Sequence, residues 1–117
     1  MFDVVLQAVC GIHKTEDNQT YYLSMSKDFY CPMSCKLNAS DDIVKLAMAK
    51  HVSNELNIDW KIVNPKFCGM QKVGHDILQI IYYVRLPVDF NQPDNTTLMH
   101  KNLAAGAECV RKVQAYV

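Results

Sequence analysis

Between residues 2 and 10 the apolar side chains Phe2, Val4, Leu6, Ala8 and Cys10 occupy every second position, with Asp3 and Gln7 among those between. A period of two marks a half-buried strand, because successive side chains of an extended chain point to opposite faces. The polar run Lys14-Thr15-Glu16-Asp17-Asn18-Gln19 interrupts the pattern, and Tyr21, Leu23 and Met25 resume it, which predicts a hairpin. Residues 28–39 show no clean period and are expected to hold a short strand and a loop. The period then changes: Val44, Met48, Val52 and Leu56 recur at intervals of four, with Ile43 and Ala47 widening the stripe, so a helix is expected. Ser40 is placed to cap it, Asp41 and Asp42 to meet the positive end of its dipole, and Asn57 to stop it in a left-handed turn.

In the second half, Trp60-Lys61-Ile62-Val63 is expected to begin a strand that Pro65 bends or ends, with Phe67 to Val73 continuing extended. Gly74-His75-Asp76 reads as a turn. Ile77 to Leu86 is the most apolar stretch, rich in branched and aromatic residues, and is expected to be a central strand. Asn91 to Thr97 reads as a loop around Pro93-Asp94, after which Leu103, Ala107, Val110 and Val117 recur at helical spacing. The order strand, strand, short strand, helix, strand, strand, helix predicts an α+β sandwich, with residues 1–117 forming one domain.

Composition changes this picture in two respects. Half of the 117 residues are hydrophobic and only 4 are Gly and 4 Pro, so the chain can bury a core. Its 12 basic residues balance 12 acidic ones and form no run longer than Arg111-Lys112, so no strip is apparent that would neutralise a nucleic-acid backbone. No apolar run approaches the roughly 18 residues that span a bilayer, and the opening Met-Phe-Asp-Val-Val lacks a basic signal-peptide region. A cytoplasmic location and no membrane partner are therefore expected. Five cysteines, an odd number, read as reduced thiols. Nine of the 12 acids are Asp, leaving Glu16, Glu55 and Glu108 as the only glutamates.

Candidate chemistry is sparse. Cys10-x-x-His13 and Cys31-x-x-x-Cys35 supply donor types suited to tetrahedral zinc, although Cys10 also fits the apolar face of the first strand. His13, His51, His75 and His100 are candidate bases, with His75 beside Asp76 in a turn. Tyr21, Tyr22, Tyr30, Trp60, Tyr82 and Tyr83 offer aromatic surface for stacking or for the core. A glycine-rich phosphate loop is excluded, since no glycine stands between Gly11 and Gly69.

The segment from Phe29 to Ile58 resembles the signature region of the Nudix (MutT-like) superfamily. With Ile58 at the final hydrophobic position of that motif, Asn57 stands at its glycine, and Glu55 and Asn54 at its paired glutamates. Val52 fills the interior hydrophobic position, His51 and Lys50 stand where the family has Glu and Arg, and Asp42 stands at the earlier glutamate. Lys36 replaces the opening glycine, while upstream Phe29-Tyr30-Cys31-Pro32 matches the aromatic-x-x-Pro approach and Met33-Ser34 replaces the Gly-Gly that follows. The resemblance implies a Nudix-like α/β/α sandwich with a mixed sheet, built around a degenerate motif.

In that family the helix glutamates hold divalent cations that polarise a diphosphate and activate water. Only Glu55 and Asp42, with Asp41 beside it, are candidates for those roles here, whether catalytic or metal-ligating. The leading expectation is accordingly a non-catalytic binding or regulatory domain that needs no cofactor and takes a nucleotide-like ligand or a protein partner. The alternative is an active hydrolase of a nucleoside diphosphate-linked substrate, with Mg or Mn held by Asp41, Asp42 and Glu55 and helped by Asp76. A further alternative is an unrelated α+β accessory protein. A homodimer is compatible with the resemblance.

Overall fold

The computed structural model describes residues 3–38 and 43–116. The expected caps and candidate ligands Ser40, Asp41 and Asp42 lie outside these residues. The period-two pattern does form the first strand, β1 (Asp3–Lys14), which continues past the predicted end because Ile12 extends the buried series beyond Gly11. It is followed by β2 (Gln19–Ser24), β3 (Met33–Lys36), helix α1 (Val44–Leu56), β4 (Lys66–Val73), β5 (Ile77–Arg85), β6 (Thr97–His100), and helices α2 (Lys101–Ala104) and α3 (Glu108–Tyr116).

The six strands make one mixed sheet in the order β4-β5-β1-β2-β6, with β3 also paired to β1. One edge of β1 runs parallel to β5 from Asp3↔Ile77 to Gly11↔Arg85. The other edge is shared: β3 pairs antiparallel with Val5 to Ala8, and β2 with Gly11 to Lys14. The expectation that 77–86 lies within the sheet holds, since β5 has β4 on one side and β1 on the other.

Two strands can share one edge only if the chain between them turns sharply away, and Ser24 organises that turn. Its buried Oγ accepts the backbone N–H of Cys31 at 3.0 Å and of Ser26 at 3.3 Å, and lies 2.7 Å from the Ser26 carbonyl oxygen. Met25 N–H donates to the Cys31 carbonyl at 2.8 Å, closing the loop so that β3 returns against β1.

The pleat of β1 divides the interior in two. Leu6, Ala8, Cys10 and Ile12 face a core completed by Met48, Val52 and Leu56 of α1. Val9 faces the opposite side, where Cys109, Val110 and Val113 of α3 pack with Ile81 and Tyr22. The arrangement is the α/β/α sandwich expected. Helix α1 buries the four-residue stripe as predicted, and Asn57 ends it in the left-handed region at φ 54°. Ile43, expected to widen the stripe, is instead 60% exposed just before the helix begins.

Three further expectations are corrected. Trp60–Ile62 is a 3-10 turn and not a strand, because the Asp59 carboxylate caps it by accepting the Lys61 N–H at 3.0 Å. Thr97, expected to end the loop, instead opens β6, a strand the pattern does not announce: Thr96 Oγ1 donates to the Pro93 carbonyl at 2.6 Å and Gln92 Nε2 to the Thr96 carbonyl at 3.0 Å, and this tight turn delivers Thr97 to Ser24 of β2. The single C-terminal helix is broken into α2 and α3 around Gly106, which leaves Leu103 exposed and gives the core positions to Ala104, Cys109, Val110 and Val113. Among the described residues no helix is long and apolar enough to cross a membrane.

Replacing Ser24 by Ala strands two part-buried backbone N–H groups, each costing about 1–3 kcal/mol when left unsatisfied. Urea unfolding of Ser24→Ala should therefore show a stability loss of about 2–6 kcal/mol for the two groups together, while Ser26→Ala, whose Oγ accepts the Asp28 N–H in an exposed bond, should change stability little.

Candidate functional site

Because β1 and β5 are parallel, their carboxyl ends lie at the same end of the sheet, the position where open α/β sheets form ligand crevices. Here β1 runs past its last β5 pairing at Gly11 to His13, and β5 ends at Arg85. Both side chains take the odd-numbered, α3 side of the pleat. The result is a cavity of about 790 Å³, walled by His13, Lys66, Tyr83, Arg85 and Tyr116 and completed by Ile62, Asn64 and the Leu86-Pro87 corner. A second hollow of about 400 Å³ shares Thr20 and Tyr83 with it and extends to Lys101, Asn102 and Gln114. Together they make a trough along α3.

Among the described residues every ionic side chain on this trough is basic or imidazole, and no side-chain carboxylate lines it. In a chain with 12 acids and 12 bases this is segregation of charge, invisible in the net value. Exposed cations gathered around an open cleft favour an anionic ligand, and the exposed Tyr116 and half-buried Tyr83 rings add flat surface on which a planar group can stack. Burial raises the Tyr83 phenol above its ordinary pKa, so it stays a neutral donor and does not compete for the cations.

Gly11 makes room for this wall. A Cβ there would stand 2.5 Å from Tyr83 Oη and 2.8 Å from its Cε1, so the ring lies directly over the glycine. Gly11→Ala should force the ring aside and destabilise by about 1–3 kcal/mol, the usual range for overpacking. In a double-mutant cycle monitored by urea unfolding, the same substitution in a Tyr83→Ala background should cost clearly less.

The residues that the motif points to are arranged differently. Glu55 is exposed on the last turn of α1, Asn54 is exposed beside it and His51 is half-buried. The Lys50 ammonium lies 6.0 Å from the centre of the Trp60 ring. Asp76 is exposed in the β4–β5 turn, where its carbonyl accepts the Asp3 N–H at 2.7 Å. Among the described residues no three His, Cys, Asp or Glu side chains lie together so as to hold a metal ion.

The zinc candidates are likewise not brought together. Cys10 and His13 are three residues apart on one strand, an odd spacing that sends them to opposite faces; the Cys-x-x-His pattern ligates from a turn, not from a continuous strand. Cys10 lies in the α1 core, while His13 lines the trough with Nε2 3.0 Å from Asn18 Oδ1. Cys31 lies in the loop before β3, its thiol donating to the Pro32 carbonyl at 3.6 Å, and Cys35 is on β3 opposite Leu6. Of the histidines considered as bases, His75 is exposed in its turn, and His100 is held structurally: Nδ1 accepts the Asn102 N–H at 3.1 Å and Nε2 lies 2.9 Å from Gln19 Oε1.

Burial pushes the Cys10 thiol up to about 12 and the Cys109 thiol up to about 11. Both are inert as nucleophiles in the folded chain. In the unfolded chain thiols ionise near pH 8.5, so stability is whole below that value and falls as the pH rises toward the folded values. Iodoacetamide at pH 8 followed by peptide mass spectrometry should leave Cys10 and Cys109 unmodified until denaturant is added.

Of the trough residues, His13, Tyr22 and Tyr83 were among the candidates read from sequence, although His13 was considered for zinc or as a base. Lys66, Arg85, Lys101 and Tyr116 were not. The available signal was the single Arg closing the apolar strand Ile77–Arg85, at a position in phase with Tyr83.

No protein-family model matches the sequence, and no characterised protein matches it significantly. Solved structures do match in three dimensions. A mutT/nudix family protein from Listeria innocua superposes with a TM-score of 0.71 at 11% identity, over 97% of this chain and 92% of that one. The Ap4A hydrolase of C. elegans gives 0.68 at 12% identity, over 99% and 98%. The fold is Nudix-like. The C-terminal domain of mouse MUTYH, solved in its complex with human PCNA, gives 0.69 at 12% identity over 99% of this chain and 87% of that one. The shared Nudix-like fold therefore occurs both in a named hydrolase and in a domain crystallised with a protein partner.

Proposed function

We propose that this chain is a Nudix-like binding domain that takes a phosphate-bearing, nucleotide-like ligand in the trough along α3 and does not hydrolyse it. The observation that carries this reading is the lining itself: among the described residues, His13, Lys66, Arg85 and Lys101 with no side-chain carboxylate, beside Tyr83 and Tyr116. Lysine and arginine donate charge-assisted hydrogen bonds to phosphate oxygens, and tyrosine rings stack on a heterocycle. Helix α1 supports the non-hydrolytic half, since at the positions corresponding to the motif's charged residues it carries Lys50, His51, Asn54 and a single carboxylate, Glu55.

The alternative hydrolase reading is motivated by the neighbour named an Ap4A hydrolase and by the acids Asp41, Asp42, Glu55 and Asp76. The two readings separate in one set of measurements. In EDTA, calorimetry with ADP and ADP-ribose should show binding, and saturating ligand should raise the melting temperature; at a concentration one hundred times Kd the stabilisation is about 2.7 kcal/mol. Arg85→Ala and Lys66→Ala should each weaken binding about tenfold, the equivalent of one charged hydrogen bond. Affinity unchanged in both variants overturns the assignment of the site. Turnover of these ligands with magnesium or manganese, abolished by Glu55→Gln, overturns the non-hydrolytic reading.

A further inference from the structure

His100 ends β6 and opens α2, and each nitrogen of its half-buried ring has a fixed partner. Nδ1 accepts the backbone N–H of Asn102 at 3.1 Å, which caps the first turn of α2, and Nε2 lies 2.9 Å from the side-chain oxygen of Gln19 on β2. A backbone N–H can only donate and an amide oxygen can only accept. The two contacts therefore admit one form of the ring: neutral, with its proton on Nε2. The two nitrogens respond differently to acid. Nε2 carries its proton in both charge states, so the bond to Gln19 survives and keeps the ring in place. Nδ1 gains a proton, loses its accepting lone pair and sets one N–H against another, that of Asn102. The imidazolium charge then also stands at the N-terminus of a helix and next to Lys101, where a cation is disfavoured.

Little else holds α2 together. It is four residues long, far below the length at which a helix is stable by itself, and Ala104 is its one buried residue. Its first two residues, Lys101 and Asn102, are the ones that line the smaller hollow of the trough. The groups around the ring leave the response to acid in place. Tyr21, its cross-strand partner on β2, meets it edge to face at 5.4 Å. The Tyr21 Oη donates to the Asp17 carboxylate, which pushes the phenol pKa up and keeps that group neutral. Beyond Tyr21, the charges of Asp17 and Glu16 are opposed by the Lys14 ammonium, 4.5 Å from the centre of the same ring.

We infer that His100 is a pH-operated latch on α2: the neutral ring holds Lys101 and Asn102 at the trough, and the protonated ring releases them. The cap contributes above the imidazole range and is lost as the pH falls through it, because only the neutral ring makes the bond. Acid thereby loosens one wall of the smaller hollow while the sheet beneath it stays paired. The consequence for ligand affinity rests on the reading of the trough as an anion site; the latch itself does not.

The test follows the whole isotope-labelled chain by NMR between about pH 7.5 and about pH 5.5, on either side of the ordinary imidazole range. At the upper end, long-range proton–nitrogen spectra should show His100 protonated on Nε2 and bare on Nδ1. On acidification the Cα shifts of residues 101–104 should move from helical toward coil values with the same midpoint as the His100 ring. His100→Asn supplies a good cap that does not titrate, so it should fold and stay helical there throughout, whereas His100→Ala should give the acid values at both ends. Calorimetry with ADP-ribose on the wild type and His100→Asn reads the consequence, since the ratio of their affinities cancels the titration of His13. That ratio should fall about threefold in acid, the order of one exposed charged contact. A proton found on Nδ1 at the upper end, Cα shifts that stay helical while the ring titrates, or the same transition in His100→Asn overturns the latch. An affinity ratio independent of pH overturns its link to the trough. If ADP-ribose binds neither protein, the reading of the trough fails, and the Cα shifts still decide the latch.

Discussion

The whole structure hangs on the position of β1. It has strands on both edges and, through its centre, a core on each face, so its pleat decides which side chains enter which core. Leu6, Ala8, Cys10 and Ile12 go to α1, and Val9 goes to α3. A register slip of one residue would exchange the two sets. Such a slip is barred from two directions, by the parallel ladder to β5 and by the antiparallel ladders to β3 and β2. The Ser24 turn matters for the same reason, since it is what allows β2 and β3 to divide a single edge of β1.

From that constraint the site follows. Parallel pairing brings the carboxyl ends of β1 and β5 to one place, where the cores stop and the strands continue into polar residues. Beyond Gly11 the α3 face no longer needs apolar cover, so it can carry His13 and Arg85, while the missing Cβ at Gly11 lets the Tyr83 ring come close against β1. The neutral total of 12 bases and 12 acids conceals two local excesses of positive charge, one in the trough and one along β4. The excess in the trough results from segments far apart in sequence, β1, β4, β5 and α2, whereas that along β4 comes from neighbouring residues of the 3-10 turn and the strand.

Much of this was readable along the chain wherever one physical period operated over enough residues. The alternation of β1, the four-residue stripe of α1 with its Asn57 stop, and the apolar run of β5 all appear as read, and so does the sandwich class. The failures are local competitions. Trp60–Ile62 looks extended by side-chain type, but Asp59 caps a turn there. Thr97–His100 is too short to show a period, and it becomes a strand only because the turn held by Thr96 and Gln92 sets it beside β2. The helix expected from Leu103 onward breaks around Gly106, which turns Leu103 outward. The zinc spacing of Cys10 and His13 failed for the same reason that β1 succeeded: on a strand, residues three apart face opposite ways.

What the sequence by itself determined is the longer elements, β1, β2, α1 and β5, since periodicity, caps and breakers act between neighbours and need no knowledge of the rest of the chain. It also determined the poverty of glutamates, which leaves Glu55 as the only carboxylate on α1. The tertiary structure alone decided the strand order, the sharing of one β1 edge by β2 and β3, and the gathering of His13, Lys66, Arg85 and Lys101 around two tyrosines. The physical reason is that charge and cavity are properties of juxtaposition. A lysine far along the chain from another contributes little to its field until the fold places them side by side.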